Sequence, residues 1–143
     1  IANFTLRKAQ KLHQRSIVNM KDSELRTRAK TLALRVISVC DTIETRKGRG
    51  VLVNQIIRSV TSIGANIHEA NYASSKADFI NKFQIALKEC YETDYWLDLF
   101  KDTDMITVEE YNALFSECSK IRKLLIASIT TAKKERQNAI SAP

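Results

Sequence analysis

The sequence predicts an all-α protein, an antiparallel up-down-up-down four-helix bundle behind a basic N-terminal arm. Three observations predict it. Among 143 residues there are 3 glycines and 1 proline, Pro143 itself, which leaves few breaks and few hairpin turns. Apolar residues recur at alternating three- and four-residue steps through long runs, the spacing of helices packed side by side. Two of the runs open on capping-box patterns. The length suits one domain with a sizeable core, divided as arm 1–21, bundle 22–136 and a frayed tail 137–143.

The arm carries Arg7, Lys8, Lys11, Arg15 and Lys21 with no acid, and Leu6, Ala9, Leu12 and Ile17 give it a loose helical stripe. The first long helix is expected to start at Asp22 or Ser23, both capping residues. Its seam is Leu25, Ala29, Leu32, Val36, Val39 and Ile43, and Gly48-Arg49-Gly50 is expected to end it with two positive-φ positions. The second helix is expected over Val51–Tyr72, with Val53, Ile56, Val60, Ile63 and Ile67 on its core face. Its other face offers Ser59, Ser62, Ala65 and Asn66, and no charged residue falls between Arg58 and Glu69. Gly64 inside a helix costs about 1 kcal/mol relative to alanine, which calls for a close neighbour. Ser62, Gly64, Ala65, Asn66, Glu69 and Trp96 are therefore expected at an oligomer or helix-packing interface.

Ser75-Lys76-Ala77-Asp78 opens the third helix, with Phe79, Phe83, Ala86, Cys90 and Leu97 as its main stripe and Ile85, Trp96 and Leu99 opposite. Asp94 falls close to that stripe and should find a basic or hydrogen-bonding partner. Thr107-Val108-Glu109-Glu110 opens the fourth helix, which carries Tyr111, Leu114, Cys118, Ile121, Leu125, Ser128 and Ala132. Four helices of about 22 to 28 residues match in length at about 1.5 Å per residue.

The residues offer little chemistry. There are 2 histidines, His13 and His68, and neither stands three residues after a glutamate as a di-iron bundle needs. Glu69 can lie across from Glu89 and Glu92, but carboxylates without imidazoles make a poor metal site. No phosphate loop, nucleophile elbow or Cys-His constellation is present. No cofactor, metal or catalytic residue is expected, and the chain reads as a non-enzyme. Cys40, Cys90 and Cys118, an odd number on predicted helices, fit free core thiols in a reducing cytoplasm. No apolar run approaches the about 20 residues that span a bilayer, and no signal-peptide pattern opens the chain.

The net charge of +7 is unevenly spread: residues 1–58 hold 13 basic and 4 acidic side chains, 59–118 hold 4 and 11, and 119–143 hold 6 and 1. Basic ends that meet in space would make a surface for phosphates. The expected phosphate contacts are Arg7, Lys8, Lys11, Arg15, Arg26, Arg28, Arg46, Lys47 and Arg49, joined by Arg122, Lys123, Lys133, Lys134 and Arg136. Of the aromatic residues only Phe4 stands among the basic ones, so binding is expected to be to backbone and shape, not bases.

Gln55-Ile56-Ile57-Arg58-Ser59, Thr61-Ser62-Ile63-Gly64-Ala65-Asn66-Ile67, Glu69-Ala70 and Ser75-Lys76-Ala77-Asp78-Phe79-Ile80 carry a family resemblance, extended by Lys88-Glu89, Glu92-Thr93 and Tyr95-Trp96-Leu97. Across residues 25 to 135 the chain resembles the bacterial four-helix-bundle proteins encoded by intervening sequences of large-subunit ribosomal RNA genes. That family is similar to the accessory variability determinant of diversity-generating retroelements, a basic pentamer that binds nucleic acid and a reverse transcriptase. The resemblance implies a left-handed bundle assembled as a homopentamer. His68 and Asn71 stand where many relatives carry small residues. The function expected from charge and resemblance together is a homo-oligomeric, cytoplasmic protein that binds nucleic-acid backbone without sequence specificity. The alternative is an interaction scaffold or accessory subunit for a nucleic-acid enzyme. The expected partners are further copies of itself, nucleic acid and a protein partner, with no membrane.

Overall fold

The computed structural model describes residues 2–143; the side chains at 14 and 16–21, among them Ile17 and Lys21, lie outside what is described. The described residues are all α: α1 Ala2–Cys40, α2 Arg49–Ala70, α3 Lys76–Asp102 and α4 Val108–Ser141. Each helix packs on its neighbours in the chain, and α1 closes the set against α4. Side-chain pairs give the direction of neighbouring helices. Arg58 meets Glu89 and Glu92 while Glu69 meets Lys82, so α2 and α3 run antiparallel. Lys76 meets Glu135 while Arg122 meets Asp94, so α3 and α4 do too.

The core is the set of seams that the periodicity predicts. Leu25, Ala29, Leu32 and Val36 of α1 are buried with Val53, Ile56, Val60, Ile63 and Ile67 of α2. Phe83, Ala86, Cys90 and Leu97 of α3 meet Leu114, Cys118, Ile121 and Leu125 of α4. Each large apolar side chain fully removed from water contributes about 1.5–3 kcal/mol before the cost of ordering the chain. Three seam positions shift by one residue. Cys40 takes the buried place expected of Val39, Ile80 that of Phe79, and Ile129 that of Ser128. Phe79 is instead half-buried against the Phe83 ring, with centroids 4.3 Å apart.

The first helix differs most from expectation. It does not begin at Asp22 or Ser23 but runs unbroken from Ala2, because no glycine or proline interrupts residues 2–40 and a capping residue alone does not stop a helix. It ends at Cys40, well before Gly48. Thr42 turns the chain there: its hydroxyl donates to the Val39 carbonyl at 2.7 Å, and its amide bonds the same oxygen at 3.0 Å, closing a tighter turn. Ile43 stays buried under the loop that follows. Of the two glycines expected at positive φ only Gly48 (φ 80) has it, its companion being Lys47 (φ 56); Gly50 lies in the first turn of α2.

The caps of α3 and α4 fall where the sequence predicts, although only the α4 box is reciprocal. Ser75 accepts from the Asp78 amide at 3.1 Å, while the Asp78 carboxylate takes the Ser74 amide. Thr107 and Glu110 form the complete reciprocal box. At the C-terminus α4 continues to Ser141 rather than fraying after Arg136. No helix among the described residues is long and apolar enough to cross a membrane.

Candidate nucleic-acid interface

The ion pair between Lys76 Nζ and Glu135 Oε2, at 2.8 Å, fixes the start of α3 beside the last part of α4. Asp22 of α1 feels the charge of Lys76, and burial holds its carboxyl above the ordinary range. The α2–α3 turn, the residues of α1 before Asp22 and those of α4 after Glu135 therefore share one end of the molecule. There α2 and α3 stop and turn back, while α1 and α4 continue.

What continues is cationic. Stepping back from the buried Leu25 by threes and fours, the phase of the α1 core face passes through Arg15, Lys11 and Lys8 to Phe4. The α4 core face, Leu125, Ile129 and Ala132, continues onto Arg136. Arg15, Lys11, Lys8 and Arg136 thus occupy positions that would turn to the core if the packed helices were longer. Arg7, Lys8, Lys11, Arg15, Lys133, Lys134 and Arg136 are all exposed, and none forms a salt bridge with a described residue.

Other expected phosphate contacts are elsewhere. Arg46, Lys47 and Arg49 sit at the opposite end, where Arg49 reaches the Thr103 carbonyl of the α3–α4 turn at 3.5 Å and Arg46 pairs with Glu44. The length of α2, about 33 Å for its 22 residues, separates the two groups. Arg28 is held between Glu24 and Glu117. Arg26 and Lys123 are exposed on the flanks of α1 and α4. Arg122 is not a surface cation: it pairs with Asp94, which is the partner that Asp94 was expected to find.

Folding also brings in an aromatic residue that sequence reasoning left with the acidic middle of the chain. Tyr72 lies in the α2–α3 turn, at the cationic end, and is 79 % exposed. The His68 ring, one helical turn earlier, stands 5.6 Å from it. Its turn position between two antiparallel helices is the signal that could have placed it there.

The expected packing face of α2 divides. Gly64 turns to α1, where an added Cβ would come 3.8 Å from the Cβ of Ala29, so its close neighbour belongs to the same chain. Ser59 is fully buried against α3, its hydroxyl accepting from Thr93 at 2.9 Å. Ser62 and Asn66 are half-buried, with the Asn66 amide donating to the Ser62 carbonyl at 2.8 Å, and Ala65 is exposed. Glu69 pairs with Lys82 and does not approach Glu89 and Glu92; those two flank Arg58, and Glu92 also accepts from the Trp96 indole at 3.2 Å. The Arg58 hydrogen bond holds Glu92 below the ordinary carboxylate range, whereas burial raises Glu89 above it.

No group of three or more His, Cys, Asp or Glu among the described residues could hold a metal ion. Cys40, Cys90 and Cys118 are free and buried. Burial pushes the Cys40 thiol up to about 11, and the Cys90 contact together with burial pushes Cys118 upward, so neither is a ready thiolate.

Three comparisons bear on this arrangement. The profile of the 23S rRNA-intervening sequence protein family matches residues 21–127. The crystal structure of a protein of unknown function from the S23 ribosomal protein family of Bacteroides thetaiotaomicron VPI-5482 is similar, with a TM-score of 0.71 and 43% sequence identity over 77% of this chain and 98% of that one. No curated protein matches the chain.

Proposed function

From the chain's membership of the 23S rRNA-intervening sequence protein family, and from the charge at one end of its fold, we propose a non-enzymatic protein that binds nucleic-acid backbone by electrostatics. The observation that carries this reading is the run of unpaired cations where α1 and α4 outlast α2 and α3. Seven of them, Arg7, Lys8, Lys11 and Arg15 on α1 and Lys133, Lys134 and Arg136 near the end of α4, form no salt bridge with a described residue, and Glu135, the acid among the α4 group, pairs with Lys76. Such a surface releases counterions from a phosphate chain and binds without reading sequence.

The proposed architecture is a left-handed up-down-up-down bundle in a homo-oligomer, a pentamer by family resemblance. The exposed Ala65, with the half-buried Ser62 and Asn66 on the same helix, is the surface offered to a neighbouring copy; the half-buried Trp96 lies farther along on α3, by Glu92 and Arg58. Gly64 is not part of it. A cytoplasmic protein with buried reduced thiols fits the same reading.

The test is binding of labelled RNA and DNA oligonucleotides at low salt, repeated as salt rises. Affinity should fall steeply and log-linearly, and no binding of either at low salt would end the proposal. Light scattering gives the assembly: five times the 16.3 kDa of one chain is expected.

A further inference from the structure

We infer that Tyr72 is a stacking platform for an unpaired base, so that the cationic end takes single-stranded or looped nucleic acid in preference to continuous duplex. The inference rests on the nucleic-acid reading above and names its substrate class. Tyr72 is the most exposed large hydrophobic side chain among the described residues, at 79 %. A ring held out on a tight turn, with its amide bonded to the Glu69 carbonyl at 2.9 Å, is presented by the backbone rather than packed away.

Its surroundings suit a phosphate chain. Of the nearby acids, Glu69 pairs with Lys82, Asp78 takes the Ser74 amide, Glu135 pairs with Lys76, and Asp22 is half-buried within the field of Lys76. The His68 ring lies against one side of Tyr72, and the rest of the phenol is in solvent. Tyr91 and Tyr95 are also exposed, but they stand midway along α3, away from the cationic end, and Tyr91 already packs on the Arg122 guanidinium. A tyrosine beside a cationic surface stacks a base whose face is free, which an unpaired base offers and the interior of a duplex does not. Continuous duplex would use the cations alone.

The experiment compares a 20-mer of oligouridylate with an RNA duplex of the same length, at one salt concentration, for the wild type, Tyr72→Ala and Tyr72→Phe. The phenylalanine variant should match the wild type. The alanine variant should lose about five- to a hundredfold on the single strand and change less than twofold on the duplex, with an unaltered helical circular dichroism spectrum. Unchanged single-strand affinity in Tyr72→Ala would overturn the inference, as would equal losses on both ligands. Should the wild type bind the duplex with no tyrosine effect on either ligand, only this inference falls. Should it bind neither, the nucleic-acid reading falls as well.

Discussion

Asp94 and Arg122 form an ion pair across the α3–α4 interface, with only 15% and 16% of their side chains exposed. The guanidinium lies 5.3 Å from the Tyr91 ring centroid and 5.9 Å from that of Phe115, and it donates to the Ser119 hydroxyl at 3.2 Å. The other carboxylate oxygen of Asp94, Oδ1, is buried and has no hydrogen-bond partner. Burial therefore raises the Asp94 carboxyl above its ordinary range, against the pull of Arg122. Arg122 belongs to the stability of the fold.

Replacing Arg122 with methionine should lower stability at pH 7 by about 2–3 kcal/mol, somewhat less than breaking a fully buried pair, because Asp94 is left charged without a partner. A folded-state pKa above the unfolded one favours the native state at acid pH, and the advantage is lost as pH rises through the folded value. The defect of Arg122→Met should therefore shrink as pH is lowered through the carboxylate range. Urea unfolding at several pH values reads this directly. A variant as stable as the wild type at pH 7 would remove the structural role.

Glu89 has the same sign of shift for a similar reason. Its Oε2 is buried without a hydrogen-bond partner, while Oε1 stands 3.6 Å from Arg58. Glu89→Gln removes a charge that the site solvates poorly and leaves Arg58 its partner Glu92. The variant is expected to be at least as stable as the wild type at pH 7, and the two should converge as pH is lowered through the carboxylate range and Glu89 takes up its proton, which its raised pKa makes easier. Thermal melts across that range check it; a variant clearly weaker at pH 7 would show that the Arg58 contact outweighs burial.

Most of the fold was legible because it rests on periodicity. The buried positions of α2 and the caps at Ser75 and Thr107 follow from spacing and local hydrogen bonding, which the sequence carries directly. The length of α1 did not, since Asp22 and Ser23 are good capping residues that nothing downstream forces to act. The candidate site was half legible. Charge counts separate basic from acidic stretches of chain, but only the topology puts Lys133 and Arg15 at one end and Arg46 at the other. Tyr72 was hidden for the same reason: its sequence neighbours are not its neighbours in charge.

Gly64→Ala should stabilise the protein. The new Cβ would make ordinary van der Waals contact with Ala29 at 3.8 Å, and alanine favours the helix by about 0.5–1 kcal/mol. A rise in melting temperature with an unchanged molar mass is the expected pair of results. If the mass falls to that of one chain, the glycine is needed by a neighbouring copy after all.

The two cationic ends can be separated by paired substitutions. Lys133→Ala with Lys134→Ala removes two exposed charges from the proposed interface. Arg46→Ala with Lys47→Ala removes the same formal charge from the far end, where Arg46 is already paired with Glu44 at 3.1 Å. If phosphates are held only where α1 and α4 outlast the core, the first pair should weaken binding and flatten the salt dependence. On a single strand the slope of log affinity against log salt should fall by about 1.4, at about 0.7 per lost phosphate contact. The second pair should change affinity less than twofold and leave the slope as it was. Net charge is altered equally in both variants, so a response to overall charge would make them alike. Equal losses, in affinity and in slope, would mean that nucleic acid spans the whole length of the molecule rather than one end.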